Sequence, residues 1–305
     1  MRELTKKHIA EYVHEELNDF EEKSERFRHL FERSCEEACQ IVLDMAEELR
    51  RSEFEPVSFE LDISGLEPWD EEPDHALPEK TAIRLTGKAD RVDGWVHDGM
   101  MYLRVVDYKT GRKQFELSDV WYGRNLQMLM YLFAVSKNSE KLYGYPGKSA
   151  GIIYMPARDD LLSFSKEPSQ EETDKEKNRA KKRSGLVLNR KDVLAAWESG
   201  EDGEKKYTPS AAGKSKKQPQ ITEEQMELLR GYLRGIVKET AEELHSGSIE
   251  ANPFYVAETE NACRNCRFPD VCQFRDGEQG EACCRMPKLS DEEVWNRIRG
   301  EEDNG

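Results

Sequence analysis
The chain has 305 residues, with 62 acidic against 46 basic side chains and a net charge of −16. That length holds one large or two small domains with a sizeable core, and the acidity argues against a broad surface for coating nucleic acid, so any such contact has to be local. No apolar run reaches the roughly 18 residues a membrane span needs. Met1-Arg2-Glu3-Leu4 opens a charged helix rather than a secretory leader, and the seven cysteines point to a reducing cytoplasm and metal ligation rather than disulfides.

In chain order, residues 1–53 read as two or three helices packed on a sheet. Ile9, Tyr12, Val13, Leu17 and Phe20 recur at helical steps, then Phe27, Leu30 and Phe31, then Cys39, Val42, Leu43, Ala46 and Leu49. His8, His14 and His29 lack paired ligands and read as surface or satisfied core histidines. Cys35 and Cys39, four residues apart, read as buried thiols on one helix face. Residues 54–63 form a strand, 64–80 a loop with three prolines, and Ala82–Lys88 a strand that leads into a hairpin.

The hairpin is the most informative stretch. An Asp-Gly pair between alternating apolar runs is a strong short-range hairpin signal, and Asp98-Gly99 is such a pair. With these two as the loop, every cross-strand pair has numbers summing to 197, so Asp90 stands opposite Asp107. Lys109, two residues from Asp107, lies on the same side. Directly opposed carboxylates repel. Lys109 or a divalent metal can compensate them; the alternative is a pair of strand-end acids in solvent. Ser118 is expected to cap a helix that begins near Asp119 and carries Val120, Arg124, Gln127 and Tyr131 along one stripe. Gln127 is an unusual polar residue among Leu126, Met128, Leu129 and Met130, and the edge of an apolar face is its bland explanation.

Ala150–Met155 reads as a core strand, which completes a core over residues 54–160. Residues 161–220 read as a charged insertion or linker. Lys175–Arg183 holds six basic residues in nine, with a smaller group at Lys214, Lys216 and Lys217; such runs are usually solvated. Gly185–Leu188 and Val193–Trp197 suggest a strand and helix docked on the core. Residues 221–262 carry a helix capped at Thr222, ending near Gly247, with Met226, Leu229, Leu233, Ile236, Val237, Ala241 and Leu244 as its stripe. Residues 263–305 hold Cys263, Cys266 and Cys272 in a C-x2-C-x5-C pattern, after an expected turn at Pro253–Tyr255. Three thiols so close suit zinc or an iron–sulfur cluster, which normally takes four ligands.

The ordered set Gly87, Asp90, Arg91, Asp93, Asp107, Tyr108, Lys109, Tyr122, Gly123, Gln127 and Tyr131 resembles the motifs of PD-(D/E)XK nucleases of the RecB type, and among them the AddB-type nuclease domains of bacterial helicase–nucleases. The resemblance implies an α/β, restriction-endonuclease-like mixed sheet core flanked by helices, with a C-terminal cysteine-cluster segment. It implies Mg²⁺ held by Asp90, Asp107 and the Tyr108 carbonyl, with Lys109, Gln127 and Tyr131 as further catalytic residues. It also implies a [4Fe-4S] cluster on Cys263, Cys266 and Cys272, a DNA substrate, and an AddA-type helicase–nuclease partner. Glu60 matches an acidic position of the family. An upstream cysteine and a helix histidine near the metal are implied too; nothing in this chain clearly matches them, and the chain is expected to begin after both. Cys35, Cys39, Cys283 and Cys284 are the remaining candidates for a fourth ligand. Alternatives are a stand-alone CRISPR-associated RecB-like exonuclease, a non-catalytic DNA-end clamp, and a zinc-ribbon binding module.

Overall fold
A computed structural model describes residues 1–18, 23–68, 84–109, 111, 113–156, 169, 183–199, 205–209, 219–278 and 282–300. The hairpin forms as the sequence predicts. Strands β2 (Lys88–His97) and β3 (Met100–Lys109) pair antiparallel from His97↔Met100 to Arg91↔Val106, each pair summing to 197. Asp98 and Gly99 both take positive φ, 49° and 74°, as a two-residue turn matched to strand twist requires.

Four more strands extend this hairpin into a six-stranded mixed sheet of order β1-β2-β3-β4-β5-β6. Strand β1 (Glu55–Asp62) joins β2 antiparallel, and β4 (Gly147–Pro156) joins β3 in parallel. Strand β5 (Ser184–Leu188) is antiparallel to β4, and the short β6 (Gln220–Ile221) is parallel to β5. This is the expected α/β core with helices on its faces. The strand predicted over Ala82–Lys88 is corrected: residues 84–87 are not strand, and β2 begins at Lys88. Gly87, at φ 153°, ends the regular geometry there.

Side-chain alternation assigns the two faces. On one, Val92, Leu103 and Val105 meet the core built around α4 (Gln127–Lys137), where every residue from Met128 to Ser136 is buried. On the other, Tyr102, Val106 and Ile153 pack with Phe54 and Trp197. Trp197 ends a helix numbered here α6 (Lys191–Trp197), after α3 (Leu117–Trp121) and α5 (Ser139–Tyr143). Helix α2 (Glu25–Arg50) brings Met45 to this second face, while α1 (Arg2–Leu17) packs on α2 and buries no residue. The expectation that the whole N-terminal region packs on the sheet therefore holds for the end of α2 and not for α1. Helix α7 (Glu223–Ser246) is bounded as expected. Thr222 forms a capping box with Gln225, and Gly247 closes the helix at φ 74°. Its stripe is buried at Met226, Leu229 and Leu233, whereas Leu244 is exposed.

The second face also buries charge. Arg91, Asp93 and Arg104 are each 0% exposed. Asp93 takes Arg91 at 2.8 Å through one oxygen and Arg104 at 2.9 Å through the other. The Arg104 guanidinium lies over the rings of Phe54 and Trp197, at 4.8 and 4.9 Å, where π faces replace hydrogen-bond acceptors. Close by, Arg183 pairs with Glu48 at 2.8 Å, both buried. Arg183 thus departs from the solvated run expected over Lys175–Arg183; the rest of that run, like Lys214, Lys216 and Lys217, lies outside the described residues.

Removing one partner of a buried ion cluster leaves uncompensated charge and costs about 3–5 kcal/mol. Asp93→Ala strands two guanidiniums, so urea unfolding should show a loss in that range. A loss below about 1 kcal/mol would contradict the cluster's role.

Candidate active site
The carboxylates stand where the hairpin register places them. Main-chain pairing between β2 and β3 ends at Arg91↔Val106, and one further step of the same register sets Asp90 level with Asp107. Past that point a side chain takes over from the ladder: the Tyr108 amide donates to Asp90 Oδ2 at 2.8 Å. Lys109 reaches back along its own strand, its Nζ 3.0 and 2.7 Å from the two Asp107 oxygens. Asp107 is 7% exposed and the Lys109 side chain about a third exposed, so the pair sits at a mouth rather than in the interior. Glu60 lies between Phe59↔Arg91 and Leu61↔Ala89, hence level with Asp90 on the outer strand. It adopts φ 48° and its exposed carboxylate meets Lys88 Nζ at 3.5 Å.

Arg91 and Tyr108 alternate with these groups and point to the other face. There Arg91 Nη1 donates to the Tyr108 hydroxyl at 3.0 Å, and burial pushes the Tyr108 phenol up against the opposing pull of Arg91. The strands that carry Asp90 and Asp107 are thus tied together from behind.

The helix expected from Asp119 through Tyr131 is corrected. It is two helices, α3 and α4, because Gly123 and Asn125 take positive φ of 72° and 54° between them. Val120 and Arg124 therefore do not continue the Gln127–Tyr131 stripe. Ser118 does not cap; it sits inside α3, and its hydroxyl accepts from the Leu289 amide at 3.1 Å. Gln127 and Tyr131 do share a face: Gln127 Nε2 donates to the Tyr131 hydroxyl at 3.0 Å. That hydroxyl lies 2.0 Å from where a Cβ on residue 87 would be. Gly87 therefore lets the Gln127–Tyr131 pair press against the entry to β2, three residues before Asp90.

Nothing in the periodicity marks three other groups near Asp107. Lys113 lies 5.2 Å over the ring of Tyr154, and Tyr154 is the register partner of Asp107 on β4. Burial, and next the Lys109 ammonium, hold the Lys113 pKa down, against Asp107 and Asp119, which raise it. Burial pushes the Tyr154 phenol up, with Asp107 and then Asp119 adding to it. Asp119 is fixed by Asn125 at 2.6 Å and by Arg124 at 3.3 Å. The sole trace in the sequence is a second lysine four residues after Lys109.

Arg124 also ties the C-terminal segment to the core. It pairs with Glu260 and stacks at 4.6 Å on Phe254. These residues belong to a second, three-stranded sheet of order β8-β7-β9: β7 (Phe254–Ala257), β8 (Glu260–Asn261) and β9 (Cys284–Arg285). The turn expected at Pro253–Tyr255 is thus a strand from Phe254 on. Tyr122 donates to the Pro287 carbonyl at 3.0 Å, Lys288 meets Glu116 at 2.7 Å, and the last helix, α9 (Asp291–Arg299), buries Val294 and Trp295.

As donors, Asp90, Asp107 and a neighbouring carbonyl offer the hard oxygens that Mg²⁺ prefers, and Mg²⁺ keeps several waters of its own. The Lys109 ammonium already offsets Asp107, so cationic charge suits this place. Cys263, Cys266 and Cys272 are exposed thiols. The Cys266 amide closes a turn onto the Cys263 carbonyl at 3.2 Å, and the Phe268 amide donates to Cys266 Sγ at 3.3 Å. An amide aimed at sulfur suits a thiolate ligand. Among the described residues no three potential ligand side chains are gathered around one point. Cys39, 1% exposed on α2, is the buried thiol expected there.

This geometry agrees with comparisons to known proteins. Residues 2–273 match the family model of the PD-(D/E)XK nuclease superfamily. The chain belongs to that superfamily, and its mixed sheet is the restriction-endonuclease-like core. Its relatives narrow the class. It is 30% identical over 282 residues to the AddB-type subunit of the ATP-dependent helicase/deoxyribonuclease of Thermoanaerobacter sp. (strain X514), covering 91% of this chain and 24% of that protein. Proteins of the same name from Clostridium kluyveri and Acetivibrio thermocellus are 28% and 30% identical, over 95% and 99% of this chain and 26% and 27% of theirs. The chain thus spans about a quarter of the length of these relatives. Among the described residues, no helix is long and apolar enough to cross a membrane.

Gly87→Ala should push Tyr131 off its seat and strain φ, costing roughly 1–3 kcal/mol. Thermal unfolding of the variant checks this, and an unchanged midpoint would contradict the contact.

Proposed function
We propose that this chain is the nuclease module of an AddB-type helicase–nuclease and acts as a Mg²⁺-dependent DNA exonuclease that trims double-strand-break ends for recombinational repair. The observation that carries the reading is the grouping of Asp90, Asp107 and Lys109 at one mouth of the β2–β3 hairpin. The relatives' name supplies the DNA substrate and the motor, and it implies an AddA-type partner.

In this reading Asp90, Asp107 and the Tyr108 carbonyl hold Mg²⁺. The ion, when bound, polarises the phosphodiester and lowers the pKa of an attacking water. Lys109 holds that water or takes its proton as the new oxygen–phosphorus bond forms and the bond to the leaving oxygen breaks. Its charge also offsets the negative charge that builds on the phosphoryl oxygens. Gln127, steadied by Tyr131, positions water or phosphate. Lys113 adds a second cation beside Asp107, placed to hold a neighbouring phosphate of a single strand. The Cys263, Cys266 and Cys272 thiolates belong to a [4Fe-4S] cluster that staples the C-terminal segment over the core. Acidic overall charge fits a protein whose DNA is delivered by a motor rather than captured from bulk solution.

The test is Mg²⁺-dependent cleavage of linear single-stranded DNA, by the chain itself and by the assembled helicase–nuclease. Asp107→Ala and Asp90→Ala should each lower the rate by about 100- to 1000-fold, and chelation should stop it. Cleavage that survives in Asp107→Ala would refute the assignment.

A further inference from the structure
We infer that Cys283 is the fourth thiolate of a metal site closed entirely within residues 253–288, together with Cys263, Cys266 and Cys272. The ligand class is a thiophilic centre, either zinc or an iron–sulfur cluster. The inference rests on the thiolate site proposed above and is independent of the cleavage chemistry.

The topology of the small sheet carries it. Strand β8 runs antiparallel to β7, and β9 runs parallel to it on the other side. The C-terminal end of β8 and the N-terminal end of β9 therefore meet the same end of β7. The ladder fixes both levels. The Ala262 amide donates to the Phe254 carbonyl at 3.1 Å, and the Cys284 amide to the Pro253 carbonyl at 2.9 Å. Cys263 and Cys283 each come one residue beyond those points, flanking Pro253 from both sides. Two strand spacings, about 9–10 Å, separate their backbones. Metal–sulfur bonds of about 2.3 Å on either side bring that within reach of two inward cysteines.

The other two cysteines are led to the same end. Cys266 follows Cys263 within one hydrogen-bonded turn. Cys272 ends the four-residue helix α8 (Pro269–Cys272), and Gln273 at φ 51° turns the chain back. Four residues after Cys272, Asp276 accepts from the Cys283 amide at 2.9 Å through one oxygen and pairs with Arg285 through the other. The stretch leaving Cys272 is thereby strapped to Cys283.

The segment also lacks another way to hold its shape. Its strands are two to four residues long, α8 buries no residue, and Phe268 and Val271 beside the cysteines are 68% and 85% exposed. So small an apolar contribution needs a staple. The rival thiols are placed otherwise. Cys284 sits in the ladder opposite Phe254, one residue on from Cys283 and so on the opposite sheet face. Cys39 is packed into α2's buried side.

The deciding experiment is elemental analysis and visible absorption of the purified chain and its variants. The wild type should carry about one zinc, or four irons with a sulfur-to-iron band, per chain; the absorption separates the two. Cys283→Ser should lose metal at least tenfold, as Cys266→Ser does, while Cys284→Ser, Cys35→Ser and Cys39→Ser keep it. Cys283→His should retain zinc, which separates ligation from a general folding defect. A metal-free wild type would sink the thiolate site itself. Full metal content in Cys283→Ser, or equal loss in Cys284→Ser, would overturn the assignment of Cys283 alone. Asp107→Ala should hold as much metal at the cysteines as wild type, so neither result depends on cleavage.

Discussion
The register of one hairpin governs everything else in this molecule, and buried charge on the far side of the sheet holds that register. A one-residue slip between β2 and β3 would turn every side chain to the opposite face. It would carry Arg91, Asp93 and Arg104 out of their ion cluster and drive Asp90 and Lys109 into the apolar core. Asp93 accepts from both arginines, Arg104 lies between two aromatic rings, and Arg91 holds the Tyr108 hydroxyl. Such clusters are costly to desolvate and are weak evidence for net stability. Their value here is that only one pairing of the two strands satisfies all of them.

From that fixed register the front face follows. Alternation sets Asp90 and Asp107 level, and Lys109 beside Asp107. Helix α4 then lies across the same face with nine consecutive buried residues, Met128–Ser136, which clamps the sheet beneath the carboxylates. The first turn of α4 is where it stops being purely structural: Gln127 and Tyr131 reach the glycine that opens β2. The break between α3 and α4 has its own consequence. It frees Arg124 to bind Asp119 on one side and the C-terminal sheet on the other, so the cysteine segment is anchored to residues that neighbour the active site.

Much of this was legible in the residues. The Asp98-Gly99 turn fixed the pairing of ten-residue strands because a two-residue loop leaves no freedom of register. Thr222, Gln225 and Gly247 bounded a helix because capping is local chemistry. What periodicity could not reveal was long-range or conformational. Gly123 and Asn125 stand within a run that reads as helix, and only their positive φ splits it. Lys113 belongs to no element, and its nearness to Asp107 depends on β4 placing Tyr154 beneath it. Arg183 sits at the end of a basic run and looks solvated until Glu48, 135 residues earlier, meets it. Alternation predicts that Arg91 and Tyr108 point away from the carboxylates, but not that they bond to each other.

The most direct measurement is an anomalous-scattering map from crystals of this chain soaked in Mn²⁺, a stand-in for Mg²⁺ with the same taste for oxygen ligands. The expected result is a peak bridging the carboxylates of Asp90 and Asp107, on the side of the sheet that Lys109 shares. A peak elsewhere, with those two carboxylates untouched at saturating Mn²⁺, would contradict it.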